Sequence, residues 1–238
     1  MDIYERLKSL SPKNYQEIRN ATARFGDPDE IFSYINAMPI CCPEGEGILH
    51  MNHEVRIDDR FLVLCYKKYF DFFPVDQIKF FYVSAESMGR YYDFGVWVWN
   101  QNWDFKVDPR YARDLYEKLL ALCPGYFRPS SNTTPINLHD YRYSYVTIDS
   151  RNVTFYKYKL FNLKTAKAVL AIPVSKIRSC YQTYDSDSDS DMYDLYLRLH
   201  DGTEHRIGVY KNLDGFRIAR RIKAVVPELV YEFPVKAK

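Results

Sequence analysis

The sequence predicts an α+β protein in which two small antiparallel β-barrels or sheets, each closed by a C-terminal helix, follow an N-terminal helical extension. Three observations carry that expectation. Residues 74–124 reappear, much altered, at 173–227: Pro74-Val75-Asp76-Gln77-Ile78-Lys79 answers to Pro173-Val174-Ser175-Lys176-Ile177-Arg178, and Tyr92-Asp93-Phe94 to Tyr193-Asp194-Leu195. An internal copy constrains architecture because each repeat is one supersecondary unit with its own apolar surface to bury. Helical spacing fills residues 1–44, whereas aromatic and β-branched runs dominate afterwards. Each copy then ends in an apolar helical stripe stopped by a proline, Pro124 in the first and Pro227 in the second.

Taken in order, Ile3, Leu7 and Leu10 share a helical face, and Ser11-Pro12 ends that turn while offering a cap to a second helix through Tyr15, Ile18 and Ala21. Asp27-Pro28 starts a third helix whose Ile31 and Ile35 face inward, and Pro39 closes it. Short β-prone runs follow at 60–66, 69–73 and 78–83, the first two joined by Lys67-Lys68. Residues 94–99 are apolar on both alternating faces, so neither side of that strand is expected in water. Asn100-Gln101-Asn102 is read as a turn into a strand at 103–107. Asp108 then caps a helix with Pro109 first and Ala112, Leu115, Leu119 and Leu122 as its stripe.

The second copy repeats the plan. Ile148-Asp149-Ser150-Arg151 matches Ile57-Asp58-Asp59-Arg60, strands are expected at 153–158 and 168–172, and a hairpin connection lies between them at 163–167. Leu195, Leu197 and Leu199 alternate with polar neighbours, and Asp201-Gly202 marks a tight hairpin into 204–209. Asn212 is read as the cap of the closing helix, with Leu213, Phe216, Ile222 and Val225 on its apolar side. Residues 124–135 have linker composition, although Tyr126 and Phe127 have the character to pack. The expected division is a helical extension at 1–44, a first domain at 45–128 and a second at 129–238.

The 22 Tyr and 15 Phe among 238 residues supply apolar area for two cores despite 27% charged residues. No run approaches the roughly 20 apolar residues that span a bilayer, and Met1-Asp2-Ile3-Tyr4-Glu5-Arg6 lacks a leader pattern. A cytoplasmic protein without a transmembrane segment is expected. Five cysteines, at 41, 42, 65, 123 and 180, show no C-x-x-C spacing, so reduced thiols are expected, with Cys65 and Cys123 as small buried hydrophobes. The formal charge of +2 hides an asymmetry: residues 1–128 carry 16 Lys and Arg against 19 Asp and Glu, residues 129–238 carry 17 against 12. The balance is too small to serve nucleic acid, and none is expected as a partner.

The Pro-Val-x-x-Ile step, the later hairpin and the terminal helix together resemble the bacterial pleckstrin-homology-like domains, relatives of the GRAM modules, here in tandem over 45–125 and 136–232. The resemblance implies a bent β-barrel plugged at one end by its helix, and a bacterial binding module without catalysis. In eukaryotic relatives of that family a basic hairpin receives phosphoinositide headgroups.

Candidate sites are few. His50-Met51-Asn52-His53-Glu54 could offer two imidazoles and a carboxylate to zinc, but on a strand 50 and 53 point to opposite faces. The Asp/Ser tract at 185–191 lacks the glycine and terminal glutamate of a calcium loop and reads as a solvated hairpin tip. Trp97, Trp99 and Trp103 suit a core or inter-domain contact, with a groove lining as the alternative. No nucleophile motif, phosphate-cradling glycine loop or dinucleotide fingerprint occurs. No catalytic, cofactor-binding or metal residue is therefore assigned. Basic residues gather in the second copy, and Lys157, Lys159, Lys164, Lys167, Arg217, Arg220 and Arg221 form the candidate set for binding an anion or an anionic lipid. The expected function is a non-catalytic binding or scaffolding module with a protein partner, the alternative being peripheral binding of anionic lipid or another anion through the basic second domain.

Overall fold

The computed structural model describes residues 2–44, 53–66, 69–86, 89–123, 126–138, 140–159, 162–185 and 192–234. In chain order the elements are α1 (Ile3–Lys8), α2 (Pro12–Thr22), α3 (Pro28–Ala37), β1 (Ile40–Cys42), β2 (Glu54–Ile57), β3 (Phe61–Tyr66), β4 (Tyr69–Pro74), β5 (Ile78–Glu86), β6 (Tyr92–Val98), β7 (Gln101–Val107) and α4 (Pro109–Leu122). The second half adds β8 (Ile136–Asn137), β9 (Tyr145–Ile148), β10 (Asn152–Lys159), β11 (Asn162–Pro173), β12 (Ile177–Asp185), β13 (Met192–Leu199), β14 (Glu204–Val209), α5 (Asn212–Val225) and β15 (Val230–Tyr231). Two compact units divide them: residues 1–78 with 105–123, and residues 79–104 with 124–238. Among the described residues no helix is long and apolar enough to cross a membrane.

Local devices follow the sequence closely. Asp2, Ser11, Asp27 and Asp108 each accept hydrogen bonds from backbone N–H groups at the start of α1, α2, α3 and α4, and proline stands at the opening of the last three. Those side-chain acceptors satisfy donors that no helical carbonyl can reach. The duplicated motifs fold alike. Asp58 Oδ1 accepts from the N–H groups of Arg60 and Phe61, and Asp149 Oδ1 from those of Arg151 and Asn152. Both Pro-Val steps become a single 3₁₀ turn, Val75–Gln77 and Val174–Lys176, and the leading valine N–H bonds the Arg60 or Arg151 carbonyl at 2.9 Å in each copy.

In the first unit, β1 to β4 form a sheet in that order. One face, carrying Phe61, Val63, Cys65, Phe70 and Phe72, is covered by Ile3 and Leu7 of α1 and Ile31, Phe32 and Ile35 of α3 in a single core. The alternate residues Leu62 and Leu64 are buried as well. α4 packs by β1 with Ala112, Leu115 and Leu119 inward. Asp71 sits between Phe70 and Phe72 on β4, and burial alone raises its carboxyl above the ordinary 3.8. A raised folded value means that the ionised group opposes folding at neutral pH, and that this penalty fades as pH falls through the folded value toward 3.8. Asp71→Asn is therefore expected to stabilise the protein at pH 7 and to lose that advantage in acid. Urea unfolding at pH 7 and pH 4 checks it, and an equal gain at both would contradict the assignment.

In the second unit, β11-β10-β9-β8 form one sheet, and β14-β13-β12-β5-β6-β7 form another in which β15 also pairs with β12. This arrangement overturns the two helix-stoppered barrels. Among the described residues every sheet is an open path and none closes into a barrel, so there is no barrel for α4 or α5 to plug. Closure requires the last strand of a copy to return to its first. Here the 3₁₀ step carries each chain copy out of one sheet and into another, and the outer edge of β5 is taken by β12, in parallel, through Thr183↔Ala85 and Tyr184↔Glu86. The wholly antiparallel expectation fails at the same place, and again where β15 runs parallel to β12.

Three smaller readings also change. The β6–β7 turn is Trp99-Asn100, with φ of +50° and +64°, the double left-handed geometry of a two-residue hairpin, and Gln101 and Asn102 belong to β7. Residues 163–167 are strand, because β11 starts at Asn162 and Ala166 and Lys167 pair with Tyr158 and Lys157. Asn212 does not cap α5: it is buried inside the first turn, accepting from Gln182 Nε2 at 2.8 Å and donating to the Asp93 carbonyl at 3.2 Å. Tyr231 completes that buried network by donating to Gln182 Oε1 at 2.6 Å, which ties α5, β6, β12 and β15 together. Tyr126 and Phe127 do pack, Tyr126 stacking on Phe81 at 4.1 Å and both meeting Phe216 of α5.

Candidate functional site

A cavity of about 1070 Å³ opens in the second unit. Its floor begins with two aromatic residues on neighbouring strands, Phe80 of β5 and Trp97 of β6, whose rings stack at 5.7 Å and 9°. Over them runs α5. Arg217, Arg220 and Arg221 stand at i, i+3 and i+4, which places them on one side of a helix. The Arg220 guanidinium lies 4.4 Å from the Phe80 ring centre and that of Arg217 5.9 Å from the Trp97 ring. Planar guanidinium groups stack on ring faces without losing their in-plane donors, so the rings fix the arginines while leaving N–H groups for another partner.

The stretch from 128 to 138 forms the second wall. Arg220 Nε donates to the Arg128 carbonyl at 2.6 Å, Ser130 N–H returns to the Arg220 carbonyl at 3.0 Å, and Arg221 Nη1 donates to the Thr134 carbonyl. Asn132 Oδ1 accepts from Thr134 N–H, bending the chain there. Ile136, Asn137 and Leu138 continue the lining, and Tyr143, Ser144 and Tyr158 close it from the β8–β11 sheet side.

Charge is distributed unevenly over these walls. Arg217 reaches Asp214 at 3.1 Å. Asp140 is held by Arg142 at 2.8 Å and accepts from the Gly208 N–H at 3.0 Å. Its burial raises and these bonds lower its carboxyl, with the net value below the ordinary 3.8. Arg220 and Arg221 differ: among the described residues neither has a carboxylate within 4.0 Å, and their bonds go to backbone carbonyls. Burial pulls both below the ordinary arginine value, and in Arg221 the neighbouring Arg217 charge adds to it. Partly buried cations without counter-charge are costly, and an anion is what would offset that cost.

Of the seven basic residues expected to act together, the structure gathers the three arginines and sets Lys157 and Lys167 apart from them. Lys157 and Lys167 face each other across β10 and β11, and Lys157 Nζ is spent on the Tyr141 carbonyl at 2.9 Å. Tyr158, one residue on, lines the cavity, so strand alternation turns Lys157 to the opposite face. Lys159 and Lys164 lie in β10 and β11 with their side chains outside the described residues. Sequence reasoning missed Phe80, Tyr143, Tyr158 and the polar 128–138 wall, which carries only a linker's composition. Trp97 takes the groove-lining role, while Trp99 is 45% exposed at the hairpin tip.

The remaining candidates do not converge. Residues 50–52 of the histidine cluster lie outside the described residues, His53 Nδ1 accepts from Lys106 N–H at 3.2 Å, and Glu54 is buried against Arg56 at 2.9 Å. The Asp/Ser tract beyond Asp185 lies outside the described residues too. Among the described residues no group of three or more His, Cys, Asp or Glu could hold a metal ion. Cys42, Cys65, Cys123 and Cys180 are buried, and burial pushes the Cys42 and Cys65 thiols up to about 12 and Cys123 to about 11. Such thiols stay protonated and unreactive at neutral pH. No protein-family model matches this chain, and no curated protein matches it in sequence.

Proposed function

We propose that the chain is a non-catalytic binding module that takes an anionic ligand in the cavity between α5 and residues 128–138. The observation that supports this reading is the pair Arg220 and Arg221, partly buried, oriented by Phe80 and by backbone carbonyls, and with no carboxylate within 4.0 Å among the described residues. The cavity lining has no His, Cys or Lys among the described residues, and its carboxylates Asp140 and Asp214 are each paired with an arginine, which favours binding over acid–base chemistry. Convergence of arginines in a concave site favours this anion reading over the protein partner that the sequence put first.

Ligand binding to the native state raises the unfolding midpoint with concentration, and salt weakens an electrostatic contact. Inorganic phosphate and pyrophosphate are therefore expected to raise the midpoint of the wild-type chain more at 50 mM than at 500 mM salt. Arg221→Gln is expected to abolish most of that rise while changing unliganded stability little, because relief of the burial penalty and of the Arg217 repulsion offsets the lost bond to the Thr134 carbonyl. One lost charge-assisted contact corresponds to roughly ten- to a hundredfold in affinity. A wild-type midpoint indifferent to both anions would remove the reading.

A further inference from the structure

Resting on that anion reading, we infer that the ligand is a mononucleotide: a phosphate ester seated on Arg220 and Arg221, with its base against the tyrosine wall of the same cavity. Size supplies the first argument. About 1070 Å³ is at the upper end of cavities that enclose drug-sized molecules, and a bare phosphate would leave most of it filled with water. The uncompensated positive charge of the lining belongs to Arg220 and Arg221 of α5. Asp140 and Asp214 line the same cavity with negative charges already met, Asp140 by Arg142 and the Gly208 N–H and Asp214 by Arg217. A polyanion that filled the cavity would place charge beside Asp140. A ligand anionic at one end and neutral at the other fits both ends.

The neutral end is aromatic and amide-rich. Phe80 and Trp97 are already stacked with each other and with the guanidinium groups, so on the sheet side the rings presented to a ligand are Tyr143 and Tyr158, and Tyr210 lines the cavity as well. Tyr158 is 40% exposed there and tilts against Tyr145 at 5.6 Å. Base-on-aromatic stacking accepts any base, since each has a π-face. Asn137 has no hydrogen-bond partner among the described residues, and Asn132 spends only its Oδ1, on Thr134 N–H. Carboxamides carry donor and acceptor side by side, matching the edge of a nucleobase and offering nothing to an acyl chain. A membrane lipid is disfavoured on geometry as well, because Lys157 lies on the sheet face opposite Tyr158 and cannot join the arginines on one lipid surface.

The test is calorimetric titration of the full chain with AMP, GMP, CMP and UMP, alongside ribose 5-phosphate, inorganic phosphate and O-phosphotyrosine amide. At least one nucleotide is expected to bind about tenfold or more tightly than ribose 5-phosphate, the gain that one stacked base supplies. Tyr158→Ala should erase that preference and leave ribose 5-phosphate affinity unchanged, Tyr158→Phe should keep it, and Arg221→Gln should weaken both ligands. Ribose 5-phosphate binding as tightly as every nucleotide would overturn the base assignment while the anion reading survived. Phosphotyrosine amide binding tighter than every nucleotide would overturn it in favour of a modified peptide. Binding of none of these compounds would overturn both readings.

Discussion

Gly95→Ala is expected to be among the most damaging single substitutions in the second unit, costing about 3 kcal/mol or more. Gly95 lies on β6, and a Cβ built there runs into the ring and hydroxyl of Tyr82 from β5. Tyr82 is fully buried and lies across β6, so that its hydroxyl reaches Asn102 and, at 2.9 Å, Asp104 Oδ1 on β7. The ring thus crosses one strand to be satisfied on the next, and only a residue without a side chain leaves room. Burial and the Asp104 charge hold the Tyr82 phenol far above its ordinary value, so it remains a neutral donor. Because the Tyr82 ring also meets Phe216, it cannot swing aside without opening the aromatic cluster under α5. Urea unfolding of Gly95→Ala, Tyr82→Ala and the double variant checks the account. The double variant should lose clearly less than the two single losses together, since removing the ring removes the clash. Strict additivity, or a Gly95→Ala loss below about 1 kcal/mol, would show that the crossing is not as described.

Arg56→Met is expected to destabilise the first unit by a similar amount, about 3–5 kcal/mol, the usual cost of breaking a buried ion pair from one side. Arg56 is almost wholly buried on β2. Its Nη2 meets Glu54 Oε1 at 2.9 Å, while Nη1 donates to the carbonyls of Ile35 and Asn36 at 3.0 Å and of Met38 at 3.4 Å. Those carbonyls end α3, where among the described residues the only backbone N–H given to them is that of Met38, which bonds the Ile35 carbonyl at 3.1 Å. One guanidinium therefore caps a helix and neutralises a carboxylate at once. Glu54 is also approached by the buried Arg6 at 3.9 Å, and Arg6 pairs with Glu44 at 2.8 Å, so α1 joins the same network. Lysine cannot replace the fork, and Arg56→Lys should recover little. Adding Glu54→Gln to Arg56→Met should restore part of the loss, because the stranded charge goes. If it restores none, the bare α3 carbonyls account for the whole cost.

Legibility differed from element to element. The caps at Ser11 and Asp108, the helix start at Asp27-Pro28, and the matched Asp58/Asp149 and Pro-Val segments of the two copies were readable because each depends on residues within a few positions, while the Asp2 cap, the Asx turns and the 3₁₀ form of those steps came from the structure. Asp201-Gly202 announced its hairpin, with Gly202 at φ +86°. Asn212 misled because capping chemistry and buried-amide chemistry use the same side chain, and only Gln182 on another strand decides between them. The turn at Trp99-Asn100 was misplaced by one residue because tryptophan rarely adopts a positive φ. In the candidate site, the spacing of Arg217, Arg220 and Arg221 was visible, whereas Lys157 and Lys167 pair across β10 and β11, with Lys157 alternating away from the cavity-lining Tyr158. The 128–138 wall was silent, since Asn, Ser, Thr and Pro signal only a bend.

The sequence by itself determined the helices, most strand positions and the duplicated local motifs, because periodicity, capping and turn chemistry act over short stretches of chain. Tertiary structure alone decided that β5 and β12 share a sheet, that no sheet closes among the described residues, and that Arg220 and Arg221 meet Phe80 and residues 128–138 around one cavity. The physical reason is that strand edges carry the same row of donors and acceptors whatever their sequence. Which edges join is set by packing between residues such as Tyr82, Gly95 and Phe216, far apart in the chain, and no local pattern records it.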